Sequence, residues 1–238
     1  MAIAFDTSAK TAYVDNVTSL TLSFTTTGSE RALVVFVNTV DPTGDIISGV
    51  TYGGTAMTLI DKTVRYTGTN WTYLFYLLNP ASGANDIVAS FTESSAHAQI
   101  FASSYTGVNQ TAIDAQNKNT GTGTTSVTVS ITTVADNCWL VGGGAYESGI
   151  SAGANTVIRQ HESLGSGIID SDGAKSPPGS YSLNLTQNSG NFGIVAVSLA
   201  PIIPSLIKKV AGVLQASIKK ISPTAIAGVK KVAGVSNV

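Results

Sequence analysis

Side chains able to do chemistry are scarce in this chain of 238 residues, which contains two histidines, His97 and His161, and one cysteine, Cys138. Covalent or acid–base catalysis would need a nucleophile beside a base, a pair of carboxylates, or a metal cluster. Neither histidine stands at a zinc-type spacing, and His161-Glu162 falls in a stretch that reads as loop. Asp170-Ser171-Asp172-Gly173 resembles the start of a calcium loop. Counted from Asp170, however, Lys175 replaces the turn glycine and Tyr181 the closing bidentate carboxylate, so a polar turn is the better reading. Cys138 has no second cysteine to pair with and adjoins Trp139, which suits a small buried hydrophobe. Gly142-Gly143-Gly144 follows an apolar strand, but no helix follows to complete a phosphate cradle, so the glycines are expected to permit a bulge or close sheet packing. On this reading the chain is not an enzyme: no catalytic residue, metal ligand or cofactor is assigned.

Two patterns suit binding better than catalysis. Trp71, Tyr73 and Phe75 share one face of a strand, where aromatic rings could stack on sugars; Trp71 and Tyr73 are the candidate glycan-stacking residues. Leu74 and Leu78 make the opposite face apolar as well, which favours core packing instead. The second pattern is a repeat. Ile207-Lys208-Lys209-Val210, Ile218-Lys219-Lys220-Ile221 and Val229-Lys230-Lys231-Val232 recur every 11 residues. The fifth position after each leading residue is Gly212, Pro223 or Gly234, and a position that accepts both types is a turn rather than the middle of a helix. The repeat therefore reads as short extended pieces, with apolar anchors on one side and lysines on the other. Six lysines would attract phosphate, yet the segment lacks arginine and aromatic residues. Docking on a protein surface explains more of it, and nucleic acid is not an expected partner.

The elements that must position these groups are strands. Residues 20–24 alternate Leu20, Leu22 and Phe24 with Thr21 and Ser23, and residues 32–37 are apolar on both faces, as a strand covered on each side would be. Further strand patterns fall at 49–52, 55–60, 71–78, 86–91, 98–105, 126–132, 139–145, 181–185 and 193–199. No helical period competes with them before Pro201. About ten short strands exceed an immunoglobulin-type domain and predict an all-β fold, an antiparallel jelly-roll-type β-sandwich with a C-terminal extended basic repeat tail. The expected boundaries are 1–200 for the sandwich, Pro201 to Pro204 for a hinge, and 205–238 for the tail.

Composition agrees with two parts doing different jobs. Only 11% of residues are charged, against roughly 25% in typical soluble proteins, while 43% are hydrophobic, enough to fill a core. All 14 acidic residues lie at or before Asp172, and six of the 13 basic residues lie at or after Lys208, so the first 200 residues carry −7 and the last 38 carry +6. Met1 to Asp6 shows no secretory leader, and the longest apolar stretch, 192–207, is interrupted by Pro201 and Pro204, so neither export nor a membrane span is expected. Asn-x-Ser/Thr sequons at Asn16, Asn70, Asn109 and Asn184 carry little meaning in that setting.

Several phrases look familiar: Gly28 to Val35 (Gly-Ser-Glu-Arg-Ala-Leu-Val-Val), Ile47 to Gly54 (Ile-Ser-Gly-Val-Thr-Tyr-Gly-Gly), Tyr76 to Pro80, Ser104 to Val108, and Pro177 to Leu183. Over roughly residues 17 to 200 the chain resembles lectin-like β-sandwich proteins of tailed phages and metagenomes, and its end is similar to the Ser-Ile-Lys-Lys repeats that close many phage structural proteins. The resemblance implies a virion component, such as a capsid decoration, head-fibre or tail-associated protein. It would be made in the host cytoplasm, anchored by its tail to other capsid or tail proteins, and expected to be homo-oligomeric. The alternative is a carbohydrate-binding adhesion module. No catalytic residues carry over from the resemblance.

Overall fold

The computed structural model describes residues 2–40, 44–66, 69–163 and 165–202, together with the backbone of 209–210 and 213–214. The chain divides into two compact units, Met1–Ile202 and Ile203–Val238. The first is built from β1 (Ala4–Lys10), β2 (Val14–Thr26), β3 (Ala32–Val40), β4 (Ile47–Tyr52), β5 (Thr55–Ala56), β6 (Thr58–Tyr66), β7 (Asn70–Leu78) and β8 (Gly83–Thr106), then β9 (Ala115–Thr132), β10 (Trp139–Ala145), β11 (Ser151–Ala152), β12 (Val157–Glu162), β13 (Ser166–Asp170) and β14 (Ser180–Leu199). In the second unit, β15 (Lys209–Val210) pairs antiparallel with β16 (Val213–Leu214). The described residues form no helix, every strand pairing is antiparallel, and the fold is all-β.

Three strands much longer than the usual five or six residues, β8, β9 and β14, decide the architecture. In the first sheet, β8 serves two sets of neighbours. Its Ala89 pairs with Leu20 of β2 and Val50 of β4, whereas its Ala102 pairs with Ala9 of β1 and Val35 of β3; β7 and β6 continue outward from β3. In the second sheet, β14 pairs Leu183 with Val129 of β9, and further along pairs Val197 with both Val141 of β10 and Gln116 of β9. Strand β9 doubles back with it. Asn117 Nδ2 and Asn119 Nδ2 donate at 2.7 Å to the carbonyls of Ser130 and Thr128, so the two halves of one strand lie edge to edge. Those amides supply an edge with the partners that an unpaired strand lacks.

The doubling creates three cores. Leu33, Val35 and Val37 face Leu20, Tyr52 and Ile87 inside the folded first sheet. Val34, Phe36, Leu74 and Phe101 face Val141, Ile168 and Val195 between the sheets. Leu140, Ile169 and Ile194 face Val127, Val129 and Leu183 inside the second sheet. The expected two sheets across one shared core therefore account for only the middle core, because strands of 18 to 24 residues bend and cover their own sheet as well. Strands β1, β11, β12 and β13 were not expected, nor was the first half of β9. Strand β1 and the edge strand β12 are half-buried and polar, without the clean alternation that marks a one-faced strand. His161 and Glu162 accordingly lie in β12, not in a loop.

Gly142, Gly143 and Gly144 explain how closely the layers approach. A β-carbon on Gly143 would stand 2.5 Å from Phe36 Cβ and 3.0 Å from Leu74 Cδ1, and one on Gly144 would stand 2.7 Å from the Gly193 carbonyl oxygen. Phe36 has no room to retreat, because it is fully buried and its ring stacks on Phe101 with centroids 5.2 Å apart. Gly143→Ala should therefore lower the unfolding free energy by about 1–3 kcal/mol in urea titrations, whereas Gly49→Ala, with open space around it, should stay within about 0.5 kcal/mol.

Candidate functional site

A polar cluster in the first unit surrounds a carboxylate with no solvent exposure, Asp170 at the end of β13. Pairing of β12 with β13 slips between Ile158 and Gln160, and the bulge leaves Arg159 out of register. From there its guanidinium grips Asp170 with both arms, Nε to Oδ2 at 2.7 Å and Nη2 to Oδ1 at 2.9 Å. The Tyr105 hydroxyl donates to Oδ2 at 2.8 Å and the Asp172 amide to Oδ1 at 2.8 Å, so both oxygens have two donors each. Arg159 also reaches Asp172 Oδ1 at 2.8 Å and lies 4.0 Å from the centroid of the Phe5 ring. Burial, and then the neighbouring Asp170 charge, hold the Tyr105 hydroxyl well above its ordinary pKa, so it serves as a hydrogen-bond donor at neutral pH. The two carboxylates that the sequence offered to a calcium ion are thus occupied by a guanidinium. Among the described residues no group of three or more His, Cys, Asp or Glu side chains could hold a metal.

This cluster belongs to a longer seam between β1 and β12, the edge strands of the two sheets. Lys10 Nζ meets Glu162 Oε2 at 2.5 Å, Gln160 Nε2 donates to Ser8 Oγ at 3.1 Å, and Ser166 Oγ donates to Gln99 Oε1 at 3.3 Å. The opposite flank is tied from β6. Lys118 of β9 reaches Asp61 Oδ1 at 2.9 Å, Arg65 Nε donates to the Asn191 carbonyl at 3.1 Å, and Glu147 accepts from Tyr66 and pairs with Arg65. These charged side chains hold sheet to sheet.

The sequence-derived candidates fall in separate places. Tyr73 is fully buried in the core of the first sheet with its hydroxyl on Asp45 Oδ1 at 2.7 Å, so its ring cannot stack on a sugar; the expectation fails there because both faces of β7 are covered. Trp71 is half-buried, lies nearly parallel to Tyr73 with centroids 6.1 Å apart, and has the Lys62 ammonium 5.8 Å from its ring centre. Its indole N–H is buried without a partner. Cys138 is buried, its thiol pushed up to about 11 by desolvation, which leaves almost no thiolate at neutral pH. His97 rests its ring against Tyr13 and its Nδ1 2.6 Å from Asp15 Oδ1, far in the chain from His161 on β12. Of the docking residues, only the backbone of Lys209 and Val210 is described; Ile207, Lys208, Ile218, Lys219, Lys220, Ile221, Val229, Lys230, Lys231 and Val232 lie outside the described residues. Sequence reasoning missed Arg159 and Tyr105, because a bulge and a contact between distant strands leave no local signature.

Two outcomes follow from these ties. Arg159→Ala would strand a buried carboxylate and should cost about 3–5 kcal/mol in urea unfolding, most of it recovered when Asp170 is also made Leu. Glu162 is held down to about 2 by the Lys10 ammonium and then by the Ser163 amide, and Glu147 is lowered by the Tyr66 hydroxyl and by Arg65. Both folded-state values lie below the ordinary 4.5, so the stability they contribute is present above that pH and is lost as the pH falls through them, toward about 2 for Glu162. In acid titrations followed by circular dichroism, Glu162→Gln should start less stable at neutral pH and lose less between those limits than wild type.

No family model matches this chain, and no curated protein matches it.

Proposed function

We propose that this chain is a non-catalytic component of a larger assembly, a tailed-phage virion in the first instance, with Met1–Ile202 as a rigid jelly-roll-type head and the C-terminal repeat as its anchor. The observation that carries this reading is the lysine repeat itself. Three copies at 11-residue spacing place Ile or Val on either side of a lysine pair, and apolar residues so regularly placed in a short basic segment gain most by burial on another surface. The head supports the reading in a different way. Its arginines and most of its lysines are committed to ties within and between its own sheets, which suits a part whose task is to keep its shape. On this proposal the partners are capsid or tail proteins and further copies of the same chain.

Co-sedimentation tests it. Tagged wild-type chain should travel with assembled particles through a density gradient, whereas a full-length variant with Ile207, Ile218 and Val229 changed to Asp should remain folded, with an unchanged melting midpoint, and stay at the top. A variant that still travels with the particles would overturn the anchoring role.

A further inference from the structure

On the outer face of the first sheet, where β2, β8 and β4 lie side by side, an open trough of about 570 Å3 runs to the β4–β5 turn. Cross-strand register sets its lining. Ser23 stands opposite Asp86, and Thr51 opposite Val88, so hydroxyls and a carboxylate border small apolar side chains, with Ala84 beside them. At that turn, Gly53 and Gly54 have φ of 54° and 78°, the left-handed pair that a two-residue hairpin turn demands. A β-carbon at Gly54 would meet nothing within 4 Å, so the trough is open to solvent at that turn. Asn85 lines it beside Gly53.

Asp86 differs from nearly every other carboxylate described. Asp6, Asp15, Asp45, Asp114, Glu147, Glu162 and Asp170 each accept a hydrogen bond from, or form an ion pair with, a group elsewhere in the fold. Among the described residues the side-chain carboxylates of Asp86 and Glu30 have no partner, and Asp86 lines this trough.

We propose that this trough binds a neutral sugar unit. A carboxylate accepts from two hydroxyls on neighbouring ring carbons, Ser23 and Thr51 can each donate and accept, and Val88 and Ala84 offer an apolar floor to the C–H face of the ring. The trough contains no cationic side chain, and Asp86 repels a negative ligand, so acidic sugars are disfavoured. One carboxylate falls well short of the roughly six to eight oxygens that calcium requires. The site lies apart from the C-terminal repeat in sequence and function, so it stands or falls independently of the assembly reading.

Saturation-transfer NMR on the full chain, with glucose, galactose, mannose and their linear tetrasaccharides as probes and glucuronate as the acidic comparison, tests the assignment. At least one neutral probe should bind, with contact through its ring protons and no change on adding a chelator. Asp86→Ala and Ala84→Trp, both at exposed positions, should each weaken binding at least tenfold with unchanged melting midpoints, whereas Glu30→Gln should leave it intact. Silence from every neutral probe, preference for glucuronate, loss of binding with chelator, or full binding by both trough variants would overturn the proposal. Loss of particle association in the tail variant, with sugar binding retained, would bear only on the anchor.

Discussion

Taking a carboxylate out of water costs several kcal/mol unless every lone pair finds a donor, and Asp170 has no exposure at all. It is tolerated because Arg159 from the neighbouring strand, Tyr105 from the other sheet and the Asp172 amide converge on it. Those donors sit correctly only if the sheets are stacked and β12 is bulged. Much of the geometry follows. The stacking brings Phe36 against Gly143, the bulge turns Arg159 inward, and the flanking ties of Lys10 with Glu162 and Lys118 with Asp61 close the sides of the middle core. Hydrophobic burial drives the sheets together without specifying register; the polar seam supplies the register.

This arrangement also bears on function. Charged groups in active sites are usually left partly unsatisfied so that they can act on something else. Here the arginines and most of the carboxylates are satisfied within the fold, and the thiol and the buried phenols are held in their neutral forms. A body organised in this way is suited to keeping its shape. What it leaves without an internal partner among the described residues includes the Asp86 carboxylate, which lines a shallow trough.

Alternation of apolar and polar residues revealed the strands that bury one face, such as β2 around Leu20 to Phe24, and the two-sided apolar run of β3 revealed a strand covered on both faces. It did not reveal β1 and β12, whose side chains meet the opposite sheet through hydrogen bonds and ion pairs and so look like loop in the sequence. Nor could it show that β8 and β14 each bend across two sets of neighbours, because a local pattern is blind to partners a hundred residues away. The same limit governs the sites. Gly142 to Gly144 were readable as either a bulge or close sheet packing, and in the fold they serve close packing. Trp71 and Tyr73 were not separable from core aromatics by spacing alone. Asp86 became conspicuous only once the partners of the other carboxylates were known.

The central claim is that this chain works in an assembly through its C-terminal repeat, and cross-linking mass spectrometry with an amine-reactive reagent on intact particles addresses it most directly. The account expects cross-links from Lys208, Lys209, Lys219, Lys220, Lys230 and Lys231 to run chiefly to other chains. Cross-links confined to lysines within the same chain's first 202 residues, or a chain missing from purified particles, would contradict it.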